Sequence, residues 1–231
     1  MIKAQGLKKS YNNHLGNEEV IFKGLDFEAK RGEVTVIMGP SGSGKTTLLN
    51  MLSTIDNVEE GSLLIGDLEI SQMKEHSRAR FRAKNIGFIF QNYALISEFS
   101  LLENCIIPLS MSGVKREEAI RKTKLMIQHF FPEDINVNKF PSELSGGQQQ
   151  RVAIARALVH GPVVVIADEP TGNLDEKTSY EVKRHLHELA SSYNKCVVIV
   201  THDKDYLNYA NKVYSFEYSQ DKGYTSTLVL E

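Results

Sequence analysis

"GPSGSGKTT", at Gly39–Thr47, sits between the apolar run "VTVIM" and the helical pattern "KTTLLNMLS". A strand, a glycine-rich loop and a helix in that order are the context in which G-x-x-x-x-G-K-[ST] carries meaning. Gly39, Gly42 and Gly44 free the backbone to turn so that successive N–H groups face one anion, and Pro40, Ser41 and Ser43 complete the loop. Lys45 adds a point charge for the β- and γ-phosphates of a nucleotide. Thr46 offers a hydroxyl to Mg2+, and Thr47 a donor further back along the phosphate chain. With strand, loop and helix in register, a chance glycine-rich turn is the weaker reading.

Working outward, the loop needs a metal ligand and a base from neighbouring strands. "VVVIADE" supplies both: Asp168 ends an apolar strand, where it reaches the metal shell, and Glu169 follows to face the γ-phosphate and a water. His202 closes another apolar strand in "VVIVTHD". The carboxyl edge of an open α/β sheet faces the ligand crevice, so His202 is expected at the γ-phosphate. Gln91 follows the strand "IGFIF" and is expected to orient the attacking water or touch the metal.

The wholly apolar strands imply a parallel sheet covered on both faces. "VIFKGLDFEAK" and "SLLIGDLEI" are expected as further strands, the second turning at Gly66–Asp67. The first ninety residues thus alternate β-like runs and turns. From about Asn92 to Leu158 the texture becomes helical, with "KREEAIRKTKLMIQHF" presenting a charged outer face. A helix over "EKTSYEVKRHLHELA" then restores the β-α-β rhythm, and the tail "SFEYSQDKGYTSTLVLE" ends in a strand pair.

A net charge of −2 gives no basic field to hold nucleic acid or an anionic membrane surface. Apolar runs reach only strand length, and "MIKAQGLKKS" has no signal-peptide core, so a cytosolic chain is expected unless it is tethered. Cys105 and Cys196 lie beside apolar residues and are expected as free, partly buried thiols.

A second phosphate cradle lies about a hundred residues beyond the first. "LSGGQQQR", Leu144–Arg151, opens a helix with a serine and two glycines, so its free N–H groups are accessible to an anion. Together these pieces resemble the nucleotide-binding domain of ATP-binding cassette transporters, over almost the whole chain. The P-loop is Gly39–Thr47 and the Q-loop residue Gln91. "LSGGQ" at Leu144–Gln148 matches the signature, Val163–Asp168 the Walker B strand with Glu169 behind it, "GNLD" ending at Asp175 the D-loop, and His202 the switch.

The resemblance implies an α/β P-loop NTPase fold with a RecA-like core, an antiparallel β subdomain and a helical subdomain. Residues 1–91 and 159–231 would form the ATP-binding core, and 92–158 the helical subdomain. It also implies two chains packed head to tail around two Mg-ATP, the partner being a second copy or a similar chain. Ser145, Gly146, Gly147 and Gln148 of one copy would cover ATP held by the P-loop of the other, and Asp175 would lie near the dimer axis. Tyr11, in what reads as the polar loop "LKKSYNNH", takes the position where such domains stack an aromatic on adenine. Glu143 and Arg151 would hold the signature helix rather than touch nucleotide.

"DEPTGNLD", "IGFIFQNYALISEFSLLENCIIPL" and "GPSGSGKTTLLNML" look most like the MacB and lipoprotein-release branch. That implies a membrane permease with an FtsX/MacB-like domain, docked against Asn92–Glu103, and a chain peripheral on the inner face of the cell membrane. Peptide, lipoprotein and hydrophobic drug stay open as cargo, as does FtsE-like signalling to cell-wall enzymes. A non-transport cassette acting on DNA or the ribosome is the other class; the tandem cassette, coiled coil or zinc insertion such proteins carry is not in this sequence.

Overall fold

A computed structural model describes residues 1–12, 18–172, 174–219 and 225–231. In chain order the strands are β1 (Ile2–Asn12), β2 (Glu18–Ala29), β3 (Val34–Met38), β4 (Glu60–Ile65), β5 (Leu68–Glu69), β6 (Ile86–Ile89), β7 (Val164–Asp168), β8 (Cys196–Val200), β9 (Lys212–Ser219) and β10 (Thr225–Leu230). The helices are α1 (Lys45–Leu52), α2 (Glu75–Asn85), α3 (Leu101–Met111), α4 (Arg116–Phe130), α5 (Gly146–Leu158) and α6 (Glu176–Ser191). One sheet has the order β2-β1-β4-β5 with antiparallel neighbours. The other runs β10-β9-β3-β8-β7-β6, parallel throughout except for the β9–β10 hairpin.

The apolar strands are apolar on both sides because both faces of the larger sheet are covered. Val164 and Ile166 of β7, with Cys196 and Val198 of β8, join α1 (Leu48, Leu49, Met51) and the small sheet (Phe22, Phe27, Leu63) in one core. Their alternates Val165, Ala167, Val197 and Ile199 join α5 (Val152, Ala155) and α6 (Val182, Leu186) in a second. A period of two distributes one strand between two cores. The α5 side is close enough that a Cβ on Gly87 of β6 would lie 2.2 Å from the Ala157 carbonyl oxygen.

The sheet register positions the functional residues. Ile37 pairs with Val200, and Val200 with Asp168, so β3, β8 and β7 end at one level. The P-loop leaves β3 there, Thr201 and His202 leave β8, and Gln91 follows two residues after β6. Residues 92–158 hold α3, α4, a short 3-10 turn at Pro141–Glu143 and α5.

Three local expectations change. The helix α2, "EHSRARFRAKN", lies where turns and strands were expected; only Phe81 of it is buried, so no apolar period announces it. Tyr11 stands near the end of β1, paired with Glu19, and not in a polar loop. Cys105 and Cys196 are free but completely enclosed, and burial pushes their thiols up to about 12 and about 11, which makes them poor nucleophiles.

Candidate active site

The carboxyl edge of the large sheet opens into a cleft of about 580 Å³. Gly39, Ser41, Gly42, Gly44, Lys45, Thr46 and Thr47 line one side, and Gln91, Asp168, Glu169 and His202 the other. Two of the glycines are obligatory. Gly39 (φ +150°) and Gly44 (φ +90°) have backbone conformations that L side chains rarely adopt, and each is tightly approached. A Cβ on Gly39 would lie 2.8 Å from the Phe216 Cβ, and one on Gly44 2.7 Å from the Ile21 Cγ2. Ser43 is buried beneath the loop with its hydroxyl lacking a hydrogen-bond partner, a polar group that a bound anion or water would satisfy.

Lys45 folds its ammonium onto the loop itself, donating to the carbonyls of Gly39 (2.9 Å) and Pro40 (2.7 Å). Burial pushes its pKa below the ordinary lysine range, against the pull of Glu169 and Asp168. Asp168 is pushed the other way, above the usual carboxylate range, by burial and by the charge of Glu169, with Lys45 offsetting this in part. Both charged forms are therefore underpaired by protein alone. A triphosphate beside Lys45 and a divalent cation beside Asp168 would each remove that imbalance. The Thr46 hydroxyl, Gln91 amide and Asp168 carboxylate bring hard oxygen donors to this cleft, the ligand chemistry Mg2+ accepts.

Glu169 is held more tightly than its sequence position suggests. Its φ of +44° is a left-handed conformation that costs a non-glycine residue about 1–3 kcal/mol. The carboxylate then meets two donors and a histidine ring nitrogen from the segment after β8. Thr201 Oγ1 donates to Oε2 at 2.9 Å, the His202 N–H donates to Oε1 at 3.1 Å, and His202 Nδ1 lies 2.8 Å from the same oxygen. Thr201 in turn accepts the N–H of Asp203 at 3.0 Å. Thr201 was not singled out from sequence, although its place between an apolar strand and a histidine in "VTHD" was a usable signal.

The signature lies elsewhere. Ser145, Gly146, Gly147 and Gln148 line a second cleft of about 720 Å³ that shares no lining residue with the first. Ser145 N-caps α5: its hydroxyl accepts the Gln148 N–H at 3.3 Å while the Gln148 side chain accepts the Ser145 N–H at 3.0 Å. That capping box fixes the helix start yet leaves the Ser145 hydroxyl proton free to donate. Asp175 caps α6 beside it, accepting from the Thr178 N–H and hydroxyl. Asn173 of the "GNLD" stretch lies outside the described residues. Arg151 bonds the Phe130 carbonyl and Glu133 and sits over the Phe131 ring, and Glu143 accepts the Phe140 N–H. Both brace the approach to α5.

Tyr11 lines neither cleft. Its phenol donates to Asp56 at 3.0 Å, and burial and that carboxylate push it above the ordinary tyrosine range, against the pull of the Thr47 hydroxyl and Lys9. Asp56 in turn bonds the Asn50 carbonyl of α1, the helix that the P-loop opens.

Comparison with known proteins agrees with this geometry. The ABC transporter family model matches residues 22–172. The chain is 41% identical over 213 residues to the bacitracin export ATP-binding protein BceA of Halalkalibacterium halodurans, spanning 92% of this chain and 83% of that one. It is 42% identical over 204 residues to the lipoprotein-releasing system ATP-binding protein LolD of Bacteroides thetaiotaomicron, spanning 88% and 91%. A solved dimeric ATP-binding cassette in a post-hydrolysis state, bound to ADP and Pi, matches with TM-score 0.85 and 34% identity, over 93% of this chain and 94% of that one. The chain belongs to the ABC transporter family, as an ATP-binding and ATP-hydrolysing cassette subunit.

Proposed function

We propose that two copies of this chain close head to tail, each P-loop cleft completed by the signature of the opposite copy, and that the closure drives a membrane permease. One observation carries the reading: the two phosphate cradles of a single chain open into separate clefts. Each cradle alone leaves a triphosphate half exposed. The exposed Ser145–Gly146 helix start supplies the missing donors from outside, and a helix end of this kind contributes ~0.3–1 kcal/mol when exposed and up to ~2 when partly buried.

In this reading the core is 1–91 with 159–231, and 92–158 is the helical body that carries the signature. Lys45 leaves the Gly39 and Pro40 carbonyls to meet the β- and γ-phosphates, while the P-loop N–H groups hold their oxygens. Thr46, Asp168 and Gln91 would hold Mg2+, which neutralises charge developing on the transferred phosphoryl group. Glu169 orients and deprotonates the attacking water, His202 keeps that carboxylate turned inward, and Tyr11 stacks on the adenine. The MacB and lipoprotein-release type of permease is the partner we assign, which would place the chain on the inner face of the membrane. The names of the BceA and LolD relatives support that choice.

The permease would dock at an apolar groove of about 270 Å³ lined by Phe88, Phe90, Ala94, Pro108 and Met111, with Met111 70% exposed. This groove adjoins the segment Asn92–Glu103. Arg156 of α5 grips the carbonyls of Tyr93 (2.7 Å) and Ala94 (2.5 Å), so a load on the groove reaches both the Gln91 loop and the signature helix. Dilution tests the composite site. ATPase activity per chain should fall as the protein is diluted, because half of each site comes from a partner. Activity per chain that stays constant down to nanomolar protein contradicts it.

A further inference from the structure

Next to Tyr11 lies a charge cluster around a buried ammonium that phosphate binding does not require. Lys9 is only 4% exposed, and its ammonium bonds Asp56 Oδ1 at 3.0 Å and lies 3.2 Å from Glu59 Oε1. The other Asp56 oxygen, Oδ2, accepts the Tyr11 phenol at 3.0 Å. The Lys9 ammonium also lies 5.1 Å from the centre of the Tyr11 ring, within range of a cation–π contact. Ser10, between them, donates its N–H and hydroxyl to Glu59 at 3.1 and 2.9 Å.

Burying an ammonium between two carboxylates adds little net stability, because desolvation consumes most of the attraction. The cluster does have a geometric result. Tyr11 is held at its hydroxyl and on one ring face, while 43% of the residue stays exposed. Asp56 is itself tied to the P-loop helix: its N–H donates to the carbonyl of Asn50, within α1, at 2.9 Å. The N-terminus of α1 thus begins the phosphate cradle, and its last turns fix the carboxylate that holds the aromatic ring.

We propose that Asp56 and Lys9 are positioning residues for recognition of the nucleotide base, locking the Tyr11 ring at a set distance from the phosphate loop with its open face toward the base. The inference rests on the assignment of Tyr11 as the adenine platform. An exposed tyrosine with no such tether would lose rotamer freedom on stacking, and that loss would weaken binding. Here the freedom is already lost in the folded chain. The effect therefore belongs to affinity for a nucleotide carrying a base, and leaves the chemical step unchanged.

Calorimetric binding of ATP and of inorganic tripolyphosphate, which has no base, separates the cases. Asp56→Ala and the milder Tyr11→Phe should each weaken ATP about three- to tenfold, the span of one lost hydrogen bond. Both should leave tripolyphosphate affinity unchanged, and Asp56→Ala should raise KM for ATP while leaving kcat as it is. The double variant Tyr11→Phe/Asp56→Ala should be no weaker than either single one, since both remove the same bond. If Tyr11→Ala weakens ATP but Asp56→Ala and Tyr11→Phe do not, the positioning role is wrong and the stacking role stands. If Tyr11→Ala itself leaves ATP affinity unchanged, the platform assignment fails and the proposal with it. Equal loss of tripolyphosphate binding in Asp56→Ala would show a disturbed P-loop helix and overturn the proposal.

Discussion

Replacing Glu169 by Gln should leave ATP bound and lower kcat by about 10²–10⁴-fold, the range a positioned general base contributes. The substitution suits the site sterically. A glutamine keeps one acceptor oxygen for the His202 N–H, and its amide nitrogen can face Thr201 Oγ1, whose hydroxyl rotates to accept. What it loses is the ability to take a proton from water. With cleavage stalled, the phosphate contacts joining the two copies persist. Size exclusion in Mg-ATP should then show a long-lived dimer where the wild-type chain gives a transient one. Wild-type turnover in this variant would move the base to another residue.

Lys45→Ala should weaken ATP binding by about 10–10²-fold, measured by calorimetry. The estimate follows from hydrogen bonds to charged groups, which contribute about 1.5–3 kcal/mol net. The Lys45 ammonium already bridges two loop carbonyls, so its loss also leaves Gly39 and Pro40 without a shared donor. Asp168 would be affected as well, because the opposing charge that partly offsets the rise in its pKa is removed. Unchanged nucleotide affinity would contradict the P-loop assignment.

The parts of the fold visible in sequence were those with a local cause. The P-loop, the apolar strands β3, β7 and β8, and the helix starting at Gly146 each carry their signal within a dozen residues, and the larger sheet follows from them. Polar α2 carried no such signal, since Phe81 alone is buried and no stripe forms. Contacts between distant segments were also hidden. Phe216, which makes glycine compulsory at position 39, lies 177 residues downstream of it, and the Asp56 bond to Tyr11 spans 45. Glu169, His202 and Gln91 were picked out by strand-end position and motif, and the register of β3, β8, β7 and β6 explains why those ends meet. The Thr201 clamp on Glu169 and the left-handed backbone at that glutamate needed coordinates.

Whether one phosphate chain is shared between two molecules is open to a direct mixing experiment. A Lys45→Ala chain lacks a working P-loop, and a Ser145→Arg chain a working signature, so each alone should be inactive. Mixed in equal amounts they can form a pair in which the intact P-loop of the second meets the intact signature of the first. The account predicts that ATPase activity reappears on mixing, from one sound site per mixed pair. If each chain encloses its own nucleotide, both sites in every pair stay broken, and a mixture as inactive as its components would contradict it.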